Sequence, residues 1–378
     1  RYSVPSSFAA QAHINAEQYQ AMYQRSIDDP EGFWAEQAQD FLTWSQPWDR
    51  VLDWSYAAED LHIRWFEGGK LNVAYNCIDR HLEEHADKTA IIWEGDNPED
   101  DKAISYKTLH EEVSRLANVL KSRGVGKGDR VCIYMPMVVE AGYAMLACAR
   151  IGAVHSVVFG GFASHALAAR IDDARPGLVV TADAGLRNGK VIRYKPLLDG
   201  AYERIDSPRP ATLVFNRGLD GELSLAEGDF DLAERLAPHY GAIVEPEWVP
   251  SSHPSYILYT SGTTGKPKGV IRSHESHIAY YLNNAVDFGF NEKDVILNVM
   301  PLCHINSIFF TFTFLYISGS AYIHPALSFK PEEILEFIER EKITFISLIP
   351  THYNLILGAD ERAKKRDVSS IRKLLCSS

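Results

Sequence analysis

The sequence predicts an α/β fold with two β-α-β subdomains, each a mostly parallel sheet covered by helices. Three observations carry that prediction. Between Ile104 and Thr181 short apolar runs alternate with stretches of helical spacing, the pattern of a parallel sheet buried between helices. The same alternation resumes from 256 to 349. At its start, the run Tyr256, Ile257, Leu258, Tyr259 leads directly into TSGTTGKPKG, a strand followed by a loop rich in Gly, Thr and Lys.

Residues 1–86 are rich in aromatics and charges, with FWAEQAQDFLTWSQPWDRVLD from Phe33 to Asp53. Their periodicity is weak, which predicts an extension wrapped on the main body. The first subdomain spans 87–204. Leu109, Val113, Leu116, Ala117 and Leu120 recur at helical spacing, and Gly124 supplies the stop. A strand Val131–Met135 broken by Pro136, a helix Ala141–Arg150, a strand His155–Phe159, a helix Ser164–Ala174 and a strand Leu178–Thr181 follow. Residues 205–255, richer in Pro, Gly and acids, read as a connecting segment. The second subdomain, 256–378, runs strand 256–259, loop, helix Ser273–Phe288, strand 294–299 and an apolar segment 308–317. A strand near Ala321, a helix Pro331–Lys342 and a strand Ile343–Ile349 complete the pattern.

A chain of 378 residues is long enough for two or more subdomains with substantial cores, and its 46% hydrophobic and 23% charged residues are ordinary for a globular protein. A net charge of -12 argues against a nucleic-acid surface, so any polyanionic ligand must meet local clusters of Lys and Arg. The five cysteines are scattered without metal-ligand spacing, and three sit in apolar runs, as buried thiols in a reducing compartment do. Arg1 to Gln20 lacks the apolar core of a signal peptide, and Ile308–Ile317 is too short to span a bilayer. These features predict a cytoplasmic protein with no membrane span. The histidines form no metal pattern, and there is no G-x-S-x-G nucleophile motif.

In the loop after Tyr259, the hydroxyls of Thr260, Ser261, Thr263 and Thr264 surround Gly262, and Gly265 closes the turn. Glycines let backbone N–H groups approach an anion closely. The common nucleotide loop has four residues between its glycines and a Ser or Thr after the Lys; here the gap is shorter and Pro267 follows Lys266. Proline resists a helix interior, so Lys266 to Gly269 is expected to stay a mobile loop from which Lys266 and Lys268 reach a phosphate as side chains. A solvated basic turn is the plain alternative.

YTSGTTGKPKG resembles the signature loop of the adenylate-forming superfamily, which includes acyl-CoA synthetases, aryl-CoA ligases, luciferases and peptide-synthetase adenylation domains. The resemblance implies the large N-terminal domain of those enzymes. It implies that Thr260 to Gly265, Lys266 and Lys268 hold the β- and γ-phosphates of ATP while a carboxylate attacks the α-phosphorus, with Lys266 and Lys268 in the catalytic role. ATP, Mg2+ and coenzyme A are the implied cofactors, and a small carboxylate the implied substrate.

The segments FWAEQA, PWDRVLD, GGKLNVAYNCIDRHL, MLACARIGAVHSVVFGGF and VTADAGLRNGK resemble acyl-CoA synthetases of the acetate and propionate type. In that group the FGGF turn and two following cations hold the adenine and 3'-phosphate of coenzyme A, which maps here to Phe159, Gly160, Gly161, Arg187 and Lys190. Independently, Arg187, Lys190, Arg193 and Lys195 crowd into nine residues of an acidic chain, and a phosphate favours such a cluster. A solvated loop face is the alternative.

After about Arg272 the likeness shifts. MPLCHINSIFF, Met300 to Phe310, and TFISLIPTHYNLIL, Thr344 to Leu357, resemble longer-chain acyl-CoA and aryl-CoA ligases. That resemblance places His304, Ile305, Ile308, Phe309 and Phe312 along a deep acyl channel, favouring longer or aromatic acids. The competing expectation is plain core around one buried helix, with short-chain specificity. The family's magnesium-binding Glu, ribose-binding Asp and C-terminal domain have no counterpart here, so this chain alone is expected to make no thioester. A carrier-loading adenylation domain and a non-catalytic nucleotide-binding module are the rivals; Arg187 and Lys190 discriminate against the first, which needs no 3'-phosphate site.

Overall fold

The computed structural model describes all residues except 1–5, 11–13, 96–99, 188–189, 261–267, 325–328, 361–364 and 377–378. Among the described residues two large sheets dominate. The first has seven strands in the order Asp229–Asp231, Ala211–Phe215, Leu178–Ala182, Arg130–Tyr134, Val154–Val157, Pro254–Thr260, Lys268–Ser273. All neighbours are parallel except the last pair. The second has six strands in the order Lys373–Cys376, Phe345–Leu348, Val295–Asn298, Ser320–Ile323, Thr89–Trp93, Lys102–Ser105, again with only the last pair antiparallel. Central strands such as Leu178–Ala182 and Phe345–Leu348 are buried at every position, which is why they read as continuous apolar runs rather than as alternation.

The helices follow their capping chemistry. Tyr106–Ser122 starts where the Ser105 hydroxyl accepts the Thr108 N–H, and it buries Leu109, Val113, Leu116, Ala117 and Leu120. Gly124 then takes φ +81, a left-handed conformation that costs a glycine little. His274–Phe288 is capped by Ser273 and ends at Gly289 with φ +58. Ser164–Ala174 occupies the expected span.

Several expectations need correction. The segment 205–255 is more than a connection: Ala211–Phe215 and Asp229–Asp231 are strands of the first sheet. Sheet membership also crosses the division made in sequence order. Thr89–Trp93 and Lys102–Ser105 belong to the second sheet, while Pro254–Thr260 and Lys268–Ser273 belong to the first. The N-terminal extension contains helices Ala16–Asp28 and Pro30–Phe41 and a hairpin of Arg50–Ser55 with His62–Glu67. The first of these helices buries no residue, so no apolar stripe was needed to write it into the sequence.

A buried polar lock joins three distant segments. Arg150, 1% exposed, donates to both Asp79 oxygens at 2.7 and 2.8 Å and to the Val244 carbonyl, and His110 lies 3.3 Å from the same carboxylate. Burial alone would raise the Asp79 carboxyl; the hydrogen bonds from His110 and Arg150 outweigh it and hold it below its ordinary range.

Beneath strand Pro254–Thr260 lies a buried histidine cluster. His155 stacks on Tyr256 at 5.7 Å, and His277 meets the Tyr256 ring edge-on at 4.4 Å. Burial pushes His155 and His274 down to about 3, and it likewise lowers His277 and, elsewhere, His81. These imidazoles are neutral when folded and take protons on unfolding, so their contribution is whole above about pH 6.5 and is lost as pH falls toward 3. We expect the fully buried His155 and His274 each to cost about 2 kcal/mol of stability at pH 5 relative to pH 7.5. Urea midpoints at pH 7.5, 6 and 5 measure this; a midpoint that does not move contradicts the burial of these rings.

Candidate functional site

Strands Pro254–Thr260 and Lys268–Ser273 form an antiparallel hairpin that pairs Thr260 with Lys268, Tyr259 with Gly269 and Leu258 with Val270. Ser261, Gly262, Thr263, Thr264, Gly265 and Lys266 fall between the two strands and lie outside the described residues, as does the Thr260 side chain. Lys268 and Gly269 are therefore strand, not the mobile loop that Pro267 suggested. The β-branched pair Val270 and Ile271 extends the ladder, and register fixes Lys268 at the base of the loop. Its side chain is exposed. Gly269 serves packing: a Cβ there would sit 2.9 Å from Ile257 and 3.2 Å from the Tyr259 ring.

The hairpin is tied to helix Ser164–Ala174 by Tyr259, whose hydroxyl donates to Asp173 Oδ2 at 2.6 Å. Burial pushes that hydroxyl's pKa upward, and the Asp173 carboxylate adds to it. The same helix begins just after the turn Phe159–Phe162, where the Phe162 N–H donates to the Phe159 carbonyl at 3.1 Å. Tyr134 donates its hydroxyl to the Phe162 carbonyl at 3.1 Å, holding the turn over the first sheet. A Cβ on Gly160 would lie 1.9 Å from the Tyr194 hydroxyl. Only glycine admits that approach.

Phe159, Gly160 and Gly161 line a cleft of about 170 Å³ with Leu186 and Ile192 of the next hairpin and, across it, Pro301 to Cys303. The structure thus brings the FGGF turn and the P-L-x-H segment to one cleft, although 142 residues separate Phe159 from Pro301 in the chain. Arg187 and Lys190 face each other in the register of hairpin Ala184–Arg187 with Lys190–Arg193. Lys190 is exposed, and the Arg187 side chain lies outside the described residues.

The other two cations of that cluster are spoken for. Arg193 donates to Asp220 at 2.9 Å and to Glu222 at 2.9 Å. Lys195, 2% exposed, bridges Asp199 at 2.5 Å and Asp229 at 2.9 Å. Asp199 lies one turn on from Lys195 in the same helix, whereas Asp220, Glu222 and Asp229 are partners that local sequence cannot place; the phosphate-binding candidates contract to Arg187 and Lys190.

The acyl-channel expectation also changes. Residues 305–316 form one helix, Ile305–Tyr316, buried along most of its length. Ile308, Phe309 and Phe312 are 1%, 4% and 3% exposed and belong to the main core, because a helix apolar on all sides packs on all sides. Ile305 stays 39% exposed. His304 caps this helix: its Nδ1 accepts the Asn306 N–H at 3.3 Å. An accepting Nδ1 is unprotonated, and burial lowers the ring's pKa in the same sense.

The AMP-binding enzyme family model matches residues 78–378, and the model of the acetyl-coenzyme A synthetase N-terminus matches residues 19–77. The chain belongs to the AMP-binding enzyme family. Among members, acetyl-coenzyme A synthetase of Halorhodospira halophila is 52% identical over 277 residues, which are 73% of this chain and 42% of the relative. That of Methylorubrum populi is 38% identical over 376 residues, 98% of this chain and 58% of the relative. The chain spans about half the length of the curated relatives it matches. The solved acetoacetyl-CoA synthetase from Streptomyces lividans superposes with a TM-score of 0.85 at 22% identity, covering 99% of this chain and 59% of that one. At that identity the likeness speaks for the AMP-binding fold.

Sequence reasoning missed Tyr194 and Asp173, which meet Gly160 and Tyr259 from outside the quoted motifs. Replacing Gly160 with Ala is expected to displace the Tyr194 ring and weaken binding of coenzyme A at least tenfold while leaving the far-ultraviolet circular dichroism unchanged. Titration calorimetry checks it, and unaltered affinity would remove the turn from the site.

Proposed function

We propose that the chain is the nucleotide- and thiol-binding part of an ATP-dependent, AMP-forming acid–thiol ligase acting on a short carboxylate of the acetate or propionate class. The observation that carries this is the hairpin with Lys268 at its base, tied through Tyr259 and Asp173 to helix Ser164–Ala174, which follows directly on the FGGF turn.

In the first half-reaction a carboxylate oxygen bonds to the α-phosphorus of ATP as the bond to pyrophosphate breaks. Negative charge gathers on the departing pyrophosphate. The Thr260, Ser261, Thr263 and Thr264 hydroxyls, backbone N–H groups freed by Gly262 and Gly265, and the Lys266 and Lys268 ammonium groups would meet it, a preorganised electrostatic role. In the second, the coenzyme A thiol attacks the acyl-adenylate carbonyl and AMP leaves. Phe159, Gly160 and Gly161 would seat the nucleotide end of coenzyme A, and Arg187 and Lys190 its 3'-phosphate.

Among the described residues no group of three or more His, Cys, Asp or Glu side chains would hold the Mg2+ that the resemblance implies. The acid is read as short because Ile308, Phe309 and Phe312 are committed to the core, leaving His304 and Ile305 as the accessible part of the acyl-side candidates. Five free cysteines, three of them buried, support a reducing, cytoplasmic setting. No described helix is long and apolar enough to cross a membrane.

Titrating the chain with coenzyme A and with dephospho-coenzyme A, which lacks the 3'-phosphate, tests the thiol assignment. Binding at least tenfold tighter for the phosphorylated form is expected. Equal affinities would instead favour an adenylation domain that loads a carrier protein.

A further inference from the structure

Among the described residues that line the FGGF cleft, Arg217 is the one with a charged side chain. The sequence reading did not single it out. Its place is fixed by a buried carboxylate: Asp183 accepts the backbone N–H groups of Arg217 at 3.0 Å, Leu219 at 2.8 Å and Asp220 at 3.1 Å. The chain wraps this carboxylate as a nest of N–H groups, and Gly218, at φ +74, supplies the left-handed turn within it. Arg217 is thereby held at the cleft by the backbone on either side of it.

The same segment is tied to strand Lys190–Arg193, because Asp220 accepts from Arg193 at 2.9 Å. The Arg217 guanidinium reaches the Ala184 carbonyl at 3.4 Å. Ala184 pairs with Arg193 at one end of the hairpin, and Arg187 pairs with Lys190 at the other. Three residues of strand separate the two ends, about 10 Å at the usual rise per residue. Arg217 therefore stands at the base of the hairpin whose far end carries the 3'-phosphate candidates. Two sets of cations so separated suit a ligand with two anionic groups rather than one.

We propose that Arg217 binds the 5'-diphosphate of a coenzyme A molecule seated in this cleft. The proposal rests on the functional reading above, and it adds a second anionic subsite to the one for the 3'-phosphate. A guanidinium offers two parallel N–H donors to the oxygens of a phosphate, whereas an ammonium keeps the charge and loses the fork. Arg217→Lys therefore retains part of the binding and Arg217→Gln loses it. The plain alternative is that Arg217 serves Glu140. Burial raises that carboxyl, while a backbone hydrogen bond, Lys102 at 3.7 Å and the charge of Arg217 oppose the rise. In that case its loss would alter stability and leave affinity alone.

Calorimetric titrations on the full 378-residue chain test this, with coenzyme A and dephospho-coenzyme A as probes of wild type, Arg217→Gln, Arg217→Lys and Lys190→Ala. Arg217→Gln should weaken both ligands at least tenfold and by the same factor, because both carry the 5'-diphosphate. Arg217→Lys should lose less on both. Lys190→Ala should weaken coenzyme A and spare dephospho-coenzyme A. Unchanged affinity in Arg217→Gln, or a loss confined to coenzyme A, would overturn the proposal while leaving the coenzyme A site standing. So would loss of cooperative thermal melting in Arg217→Gln and Arg217→Lys alike, which would make the residue structural. Wild type that binds neither ligand would sink the functional reading and this proposal with it.

Discussion

Replacing Arg150 with methionine is expected to cost about 3–5 kcal/mol of stability, because it leaves Asp79 buried and charged with His110 as its remaining partner among those named. Total stabilities of domains are commonly about 5–15 kcal/mol, so the variant should be partly unfolded at 37 °C. The loss is more than local. Asp79 lies just beyond the segment matched by the N-terminal family model, Arg150 ends helix Val139–Arg150, and Val244 precedes the hairpin of Pro254–Thr260 with Lys268–Ser273. Removing both charges, as Asp79→Asn with Arg150→Met, should restore a substantial part of what the single change loses. Denaturant titration of wild type and the two variants measures it. A single variant as stable as wild type would show that the ion pair does not hold these segments together.

Changing Lys266 and Lys268 together to Ala is expected to reduce ATP affinity by at least two orders of magnitude with the fold intact. Lys268 is exposed at the base of the hairpin, and exposed lysines contribute roughly 0–1 kcal/mol to stability. Two ammonium groups meeting a triphosphate supply charge-assisted hydrogen bonds of about 1.5–3 kcal/mol each, enough for the predicted loss. Thermal melting should move little while calorimetric ATP binding disappears. Undiminished binding would make the segment a solvated basic turn.

Much of the fold was legible where local pattern and burial agree. Helix Ser164–Ala174 has apolar residues at helical spacing and was bounded to the residue. Strand Leu178–Ala182 is buried throughout and differs from expectation by one residue. Strand Lys268–Ser273 was illegible because Pro267 and two glycines dominate the local reading, while its register with Pro254–Thr260 is a pairing across the loop. Ala211–Phe215 was hidden by its acidic, Pro- and Gly-rich surroundings.

The site divides in the same way. Candidates at 260–268 came from residue types and spacing as well as from resemblance, while those at 159–161 and 301–304 came from resemblance alone. What the sequence could not show was which charges are already neutralised. Lys195 looked equivalent to Lys190 in the chain, yet Asp199 and Asp229 consume the first and leave the second exposed. The apolar run at 308–312 posed the same problem, since core and channel lining use the same residues. Ile308, Phe309 and Phe312 are buried in the main core.

We propose that this chain carries two separate anion sites, one for ATP phosphates at the hairpin and one for coenzyme A at the FGGF cleft. Paired calorimetric titrations test it most directly, using ATP and coenzyme A on wild type, Lys266→Ala with Lys268→Ala, and Arg187→Ala with Lys190→Ala. The account predicts that the first double variant loses ATP binding and keeps coenzyme A, that the second does the reverse, and that neither ligand displaces the other from wild type. Competition for a single site, or loss of both ligands in either variant, would contradict it.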